Sequence, residues 1–278
     1  MSLNNENLKE LRNMACLVRM DIVEMLNKAA SGHTGGSLSA ADIVTALYFY
    51  KLKHNPKDPA WEERDRFILS KGHAAPVLYA ALARAGYFPT EELFTLRQLG
   101  SRLQGHPDSK KLPGVEISTG SLGQGLSVSC GIALGGRLDK KAWRVYALLG
   151  DGELQEGQVW EAAMTAAHYG LENLTAIIDN NGLQIDGRCC EVMCVDPIPD
   201  KFRSFGWDVI EIDGHDIAQI TDALDRASLH KGRPTAIVAR TIKGKGCSLF
   251  EGKVEYHGTP PSDEELAVAL KEISGACQ

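Results

Sequence analysis

Two apolar runs that each end in oxygen-bearing side chains constrain this chain more than any other feature. Val145 to Leu149 leads straight into Gly150-Asp151-Gly152, and Leu174 to Ile178 leads into Asn180-Asn181. Between them, Leu154 to Tyr169 has helical spacing, with Leu154, Val159 or Trp160, Ala163, Ala166 and Ala167 near one face and no proline. The pattern predicts a strand, helix, strand unit whose parallel strands end at the same sheet edge, where ligands bind. Asp151 and Asn181, 30 positions apart, are thereby brought close together. A carboxylate, an amide oxygen and nearby main-chain carbonyls form an oxygen-only donor set, suited to Mg or Ca rather than Zn. The flanking glycines let a bulky anion approach the backbone, and Gly152 precedes a helix whose N-terminal amides favour negative charge. A diphosphate held through Mg is the implied ligand. In isolation the same residues also fit an Asp N-cap and an Asn-Asn-Gly turn.

The rest of the chain supports an α/β fold. A long helix is predicted over Asn5 to Ala30 from the stripe Leu8, Leu11, Ala15, Val18, Ile22, Met25 and Ala29. Gly32, Gly35 and Gly36 are expected to break it, and Ser37 or Ser39 to cap the next helix, Ala40 to Leu52. A short strand, Arg66 to Leu69, leads into SKGHAA, where a helix starts at His73 and runs to Ala85. Leu122 to Leu138 reads as a helix carrying five glycines, which implies close approach by another helix or a cofactor ring. Further on, helices near Pro199 to Phe205 and Ile217 to Leu229 alternate with strands Trp207 to Ile212 and Pro234 to Arg240. A last helix spans Asp263 to Ile273.

At 278 residues and 44% hydrophobic content, one large domain over 1–278 is expected. The formal net charge of −6 gives no case for nucleic acid or an anionic membrane, so any phosphate binding is local. No apolar stretch is long enough to span a bilayer, and the start lacks a signal-peptide pattern, which places the chain in the cytoplasm. The seven cysteines are an odd, scattered set; Cys189, Cys190 and Cys194 cluster without metal-site spacing and read as ordinary thiols.

Four histidines sit beside glycine in loops: His33 in SGHTGG, His73 in SKGHAA, His106 in LQGHPD and His257 in VEYHGTPPS. Any one alone reads as an exposed loop residue; four together suit a substrate with many hydroxyl groups and proton movement near neutral pH. His54, His168, His215 and His230 read as surface or structural. Glu153, Glu156 and Glu161 read first as exposed glutamates complementing a helix dipole.

These motifs, taken in order, resemble the transketolase family. GDG followed after 27 residues by NN is similar to the thiamine diphosphate signature, and GDGELQEG with IDNNGLQIDG resembles transketolases in particular. The resemblance implies a parallel-sheet thiamine diphosphate-binding fold with helices on both faces. It assigns Mg to Asp151, Asn181 and the carbonyl of Leu183, with Ca or Mn as substitutes. It places Gly120, Leu122, Gly150, Asp151, Gly152 and Asn181 against the cofactor, with Gln124 beside them. Ser121 stands where the family's pattern usually has proline. His33, His73, His106 and His257 become the substrate and cofactor channel, and His73 and His257 also face the diphosphate. TIKGKGCSLFEGK, with Lys243 and Lys245, becomes a substrate-facing loop, and Glu156 and Glu161 fall at a subunit interface.

The implied reaction is transfer of a two-carbon ketol group from a ketose phosphate to an aldose phosphate. The family's pyrimidine-binding and C-terminal domains have no counterpart in these residues. The resemblance therefore implies a second chain that carries them, in an α2β2 heterotetramer. Open alternatives are a relative dedicated to an unusual sugar phosphate, a 2-oxo acid dehydrogenase component, and a non-catalytic scaffolding subunit.

Overall fold

A computed structural model describes residues 3–277, and in it the two apolar runs pair as adjacent parallel strands. The chain opens with α1 (Asn5–Ala29), α2 (Thr34–Ser39) and α3 (Ala41–Ala46), then enters β1 (Arg66–Leu69). It continues through α4 (Ala75–Arg84), α5 (Gln124–Leu138), β2 (Val145–Gly150), α6 (Gly157–His168) and β3 (Leu174–Asn180). A small hairpin, β4 (Leu183–Gln184) and β5 (Gly187–Arg188), and the single turn α7 (Cys189–Val192) follow. The chain closes with α8 (Ile198–Ser204), β6 (Asp208–Asp213), α9 (Ile217–Leu229), β7 (Thr235–Arg240) and α10 (Asp263–Ala276).

The five long strands form one parallel sheet in the order β1-β2-β3-β7-β6. Successive residues point to opposite faces. Tyr146, Leu148, Ile177 and Ile237 enter a core built with α1, α3, α4, α9 and α10. Ala147, Leu149, Ala176, Ile178 and Val238 enter a second core with α5, α6 and α8. Both faces are covered, which is why the strands read as continuous apolar runs rather than as alternation. The fold is the expected α/β sheet with helices on both faces. Among the described residues no helix is long and apolar enough to cross a membrane.

Several expected boundaries shift for local reasons. Gly35 and Gly36 lie inside α2, and the break falls at Ala30 and Gly32, both at positive φ. Neither serine caps α3: Ser37 donates to the His33 carbonyl and Ser39 to Asp179. The helix expected over 40–52 is α3 followed by a π-helical turn, Leu47–Lys51. The helix expected from Leu154 is divided, because Glu156 is extended (ψ 124°); a 3-10 turn, Gly152–Gln155, precedes α6. Likewise His73 sits in a 3-10 turn, Gly72–Ala74, ahead of α4.

Two glycines of α5 serve packing against protein. A Cβ on Gly125 would lie 2.3 Å from the Ser70 hydroxyl, and one on Gly136 would lie 2.5 Å from the Trp143 ring. Gly131 and Gly135 have open space before them, so the expected close approach does not extend to those two positions.

Candidate active site

Because the strands run parallel, their carboxyl ends deliver the following residues to one edge. β1 is followed by Ser70-Lys71-Gly72-His73, β2 by Asp151-Gly152, β3 by Asn181 and β7 by Thr241-Ile242-Lys243. The turn before α2 adds His33, the loop before α5 adds Gly120 and Leu122, and a 3-10 turn, Glu255–His257, adds His257. They surround a cavity of about 340 Å³. Its walls contain His33, His73, Gly120, Leu122, Gly150, Asp151, Gly152, Asn181, Leu183 and His257, so every site residue expected from sequence is there except His106. His106 is exposed at the rim, its ring 6.5 Å from that of His33 and packed over Gly120. Gln124 turns away and pairs with Gln158 on α6.

Asp151 joins the two strand ends. One carboxylate oxygen accepts from the Gly152 amide at 2.8 Å, and the other accepts from the Gly182 amide at 2.5 Å. Asn181 Oδ1 accepts from the Leu183 amide at 3.1 Å, and the Leu183 carbonyl faces Lys243 Nζ at 3.4 Å. Burial, then the charge of Asp179, pushes Asp151 up to about 6, against the pull of its two amide donors and Lys71. A buried carboxylate raised in this way is under-compensated, which fits a divalent cation. Among the described residues no three His, Cys, Asp or Glu side chains gather as a metal cluster. The donor set here is of another kind: one carboxylate, one amide and one carbonyl.

The positive charge at the cavity comes from two lysines. Lys71, 1% exposed, reaches the Gly36 carbonyl at 3.0 Å and pairs with the fully buried Asp179 at 2.5 Å. Burial alone would raise Asp179; Lys71 and the hydroxyls of Ser39 and Thr241 hold it below its ordinary value. Lys243, 2% exposed, meets His257 Nδ1 at 2.8 Å. Burial, then the nearby Lys71, lowers it to about 8. Two buried ammonium groups brought together fit a polyanion. Gly35 of SGHTGG makes room for one of them: a Cβ there would lie 2.8 Å from Lys243 Cγ. The Gly152 amide donates to Asp151 and opens a 3-10 turn of four residues rather than a long helix, while Gly152 still lines the cavity.

Three imidazoles form a triangle over this charge, with His33, His73 and His257 centroids 5.2–5.4 Å apart. Burial, then neighbouring cations, lowers His33 to about 4, His257 to about 3, and His73 well below its ordinary range. All three are neutral near pH 7. Among the described residues His33 Nδ1 is buried without a hydrogen-bond partner, and it lines the same cavity.

Sequence reasoning misses Lys71, Asp179 and Glu153. Glu153 is expected as an exposed helix-end glutamate, yet it is 2% exposed. Its carboxylate accepts from the Ser70 hydroxyl and from the amides of Gly123 and Gly150, tying three strand and helix ends together. Glu156 lines the cavity and Glu161 is exposed on α6. Cys189 is buried beside Asp151, whereas Cys190 and Cys194 are exposed thiols. Of the remaining histidines, His168 is exposed, His54 bonds the Tyr48 carbonyl, and His215 is enclosed by α3 and the loop after β7.

The family described as "Transketolase, thiamine diphosphate binding domain" matches residues 10–276. The chain is 44% identical to the 6-deoxy-6-sulfo-D-fructose transketolase subunit SqwG of Clostridium sp. (strain MSTE9), over 95% of this chain and 96% of that one. It is 43% identical to an apulose-4-phosphate transketolase subunit of Actinobacillus succinogenes, over 97% and 98% of the two. A transketolase structure from Campylobacter jejuni superposes with a TM-score of 0.88 at 36% identity. That match covers 98% of this chain and 43% of the other, so the chain spans less than half of that transketolase. The chain belongs to the transketolase family, as its thiamine diphosphate-binding domain. More narrowly, it is an N-terminal transketolase part, similar over nearly its whole length to relatives named as transketolase subunits.

Proposed function

We propose that this chain is the diphosphate-binding subunit of a split, thiamine diphosphate- and Mg-dependent transketolase. It transfers a two-carbon ketol group from a ketose phosphate to an aldose phosphate in the cytoplasm. The convergence of Asp151, Asn181, two buried lysines and three neutral histidines on one cavity carries the reading. Asp151, Asn181 and the Leu183 carbonyl would hold Mg, and Lys71 and Lys243 would face the diphosphate. Bound thiamine diphosphate supplies the nucleophilic carbon and the electron sink that carbon–carbon cleavage needs. His33, His73 and His257, each with a donor and an acceptor nitrogen, bind donor hydroxyls and hold or return a proton. Their low basicity keeps them neutral beside two lysines. His106 adds a hydroxyl contact at the rim, while Gly120 and Leu122 form the wall toward the cofactor ring.

Residues 1–278 form the diphosphate-binding domain. A partner chain supplies the pyrimidine-binding and C-terminal domains in an α2β2 assembly, with Glu156 and Glu161 at the interface. Similar coverage of relatives named "subunit" supports it. Those relatives also favour a second, narrower reading, a dedicated sugar substrate, since each is named for an unusual sugar. The test is ketol transfer by the chain alone and mixed with a candidate partner, with Mg and the cofactor present. Donors are xylulose 5-phosphate, other ketose phosphates and a sulfonated ketose, with ribose 5-phosphate and other aldose phosphates as acceptors. Turnover only in the mixture is expected, and the donor that turns over decides between the readings. Full turnover by the single chain contradicts the split.

A further inference from the structure

The loop that carries Lys243 into the cavity is held from behind by a chain of side chains that the reaction itself does not use. Asp42 on α3 is buried, and Arg19 on α1 grips both of its oxygens, at 2.9 and 2.5 Å. Burial pushes Asp42 up, but Arg19 and His215 outweigh it and hold the group down at about 2, so it is a carboxylate. His215 Nδ1 lies 2.8 Å from Asp42 Oδ2, and on its other side His215 Nε2 lies 2.8 Å from the Ile242 amide. A carboxylate on one nitrogen and an N–H on the other fix the ring as the neutral Nδ1–H tautomer, donating to Asp42 and accepting from Ile242. Arg19 also donates Nε to the Lys245 carbonyl at 3.1 Å. The same cluster therefore grips the loop on either side of Lys243.

Main-chain bonds also tie this stretch: the Lys243 carbonyl accepts from the Gly252 amide at 2.9 Å and the Ile242 carbonyl from the Lys245 amide at 3.2 Å, while the Thr241 hydroxyl donates to Asp179. The Gly244 amide bonds the Gly35 carbonyl at 3.0 Å, and the Thr241 amide bonds the Asn180 carbonyl at 3.1 Å. Outside the loop lies a cavity of about 580 Å³, and Ile242 is 39% exposed. The imidazole is the partner of the Ile242 amide, and the Ile242 peptide directly precedes Lys243.

We propose that His215 is a positioning residue for the diphosphate end of the active site: its imidazole latches the Ile242 amide and thereby aims Lys243 into the cavity. The proposal rests on the diphosphate reading of that cavity. His215 does not line the active-site cavity, so it acts through Lys243.

A double-mutant cycle on the full chain tests this, using calorimetric titration of inorganic diphosphate with Mg. His215→Asn retains a donor toward Asp42 but is too short to reach Ile242; His215→Gln places an acceptor near the former Nε2 position. The expected result is about a tenfold rise in Kd for His215→Asn when Lys243 is present, and a change of under about twofold in a Lys243→Met background. His215→Gln should recover most of the affinity. An equal loss in both backgrounds, or no loss in either, overturns the latch. In the unmutated chain, amide exchange at Ile242 should be strongly protected; exchange at the rate of a free amide also overturns it, whether or not the variants fold. Absence of diphosphate binding by the unmutated chain overturns the cavity reading itself.

Discussion

Lys71→Met removes the cation from a buried pair and leaves Asp179 with two hydroxyl donors, those of Ser39 and Thr241. At 2.5 Å the attraction is about 6–7 kcal/mol with an effective dielectric of about 20, part of which is offset by the regained hydration of Lys71 in the unfolded chain. A ceiling comes from titration. Asp179 can escape its unpaired charge by taking up a proton, which at pH 7 costs about 4 kcal/mol for a carboxyl of ordinary value 3.8. Denaturant unfolding at pH 7 should therefore show a loss of about 3–4 kcal/mol, and protonation should relieve it by about 1.4 kcal/mol per unit as pH falls toward 5. Lys71→Met with Asp179→Asn should recover to within about 1–2 kcal/mol of the unmutated chain, because the uncompensated charge is gone. A loss under about 1 kcal/mol, a pH-independent loss, or a double variant no more stable than the single one would refute the reasoning.

Glu153→Gln should cost about 1–3 kcal/mol in denaturant unfolding, since an amide nitrogen would face one of the amides of Gly123 and Gly150. His33 is lowered in the folded chain to about 4 from 6.5, so between those values the unfolded state binds the extra proton and stability falls as pH falls. Replacing His33 with Asn should flatten that fall by about 2 kcal/mol after allowance for its partial exposure; an unchanged slope in acid unfolding contradicts the burial argument. Asp42, held at about 2 against an unfolded 3.8, has the same sign in a lower window: its contribution is present above about pH 4 and lost as pH drops toward 2. Asp42→Asn should remove about 2 kcal/mol at pH 7 and little at pH 2, as read by thermal unfolding across that range.

The parts of the site legible in the sequence are those that sit at strand ends and glycine turns. Asp151, Asn181 and the four histidines stand out because a polar side chain after an apolar run, or beside glycine, has few reasons to be there. Lys71 lies in the same SKGHAA segment as His73, yet a lysine before a helix reads as solvated. Only the sheet order brings it across the end of β2 to Asp179, which sequence shows merely as the polar end of a strand. Glu153 is hidden for a related reason. A glutamate in a first turn is ordinarily exposed, and the separate 3-10 turn that holds Glu153, ended by the extended Glu156, has no local signature. The long helices and all five strands are legible from spacing, whereas the hairpin β4–β5 is too short to carry a period. His215 follows a glycine like its active-site counterparts, but its partners Asp42 and Ile242 are 173 and 27 positions away.

The central claim is that the cavity at the sheet edge binds a Mg-diphosphate. Its most direct test is calorimetric titration of thiamine diphosphate, inorganic diphosphate and thiamine monophosphate into the full chain, with Mg and with a chelator. The account predicts saturable binding of both diphosphates that requires Mg and is lost in Asp151→Ala, with the monophosphate far weaker. Diphosphate affinity that is indifferent to Mg, or unchanged in Asp151→Ala, would contradict it.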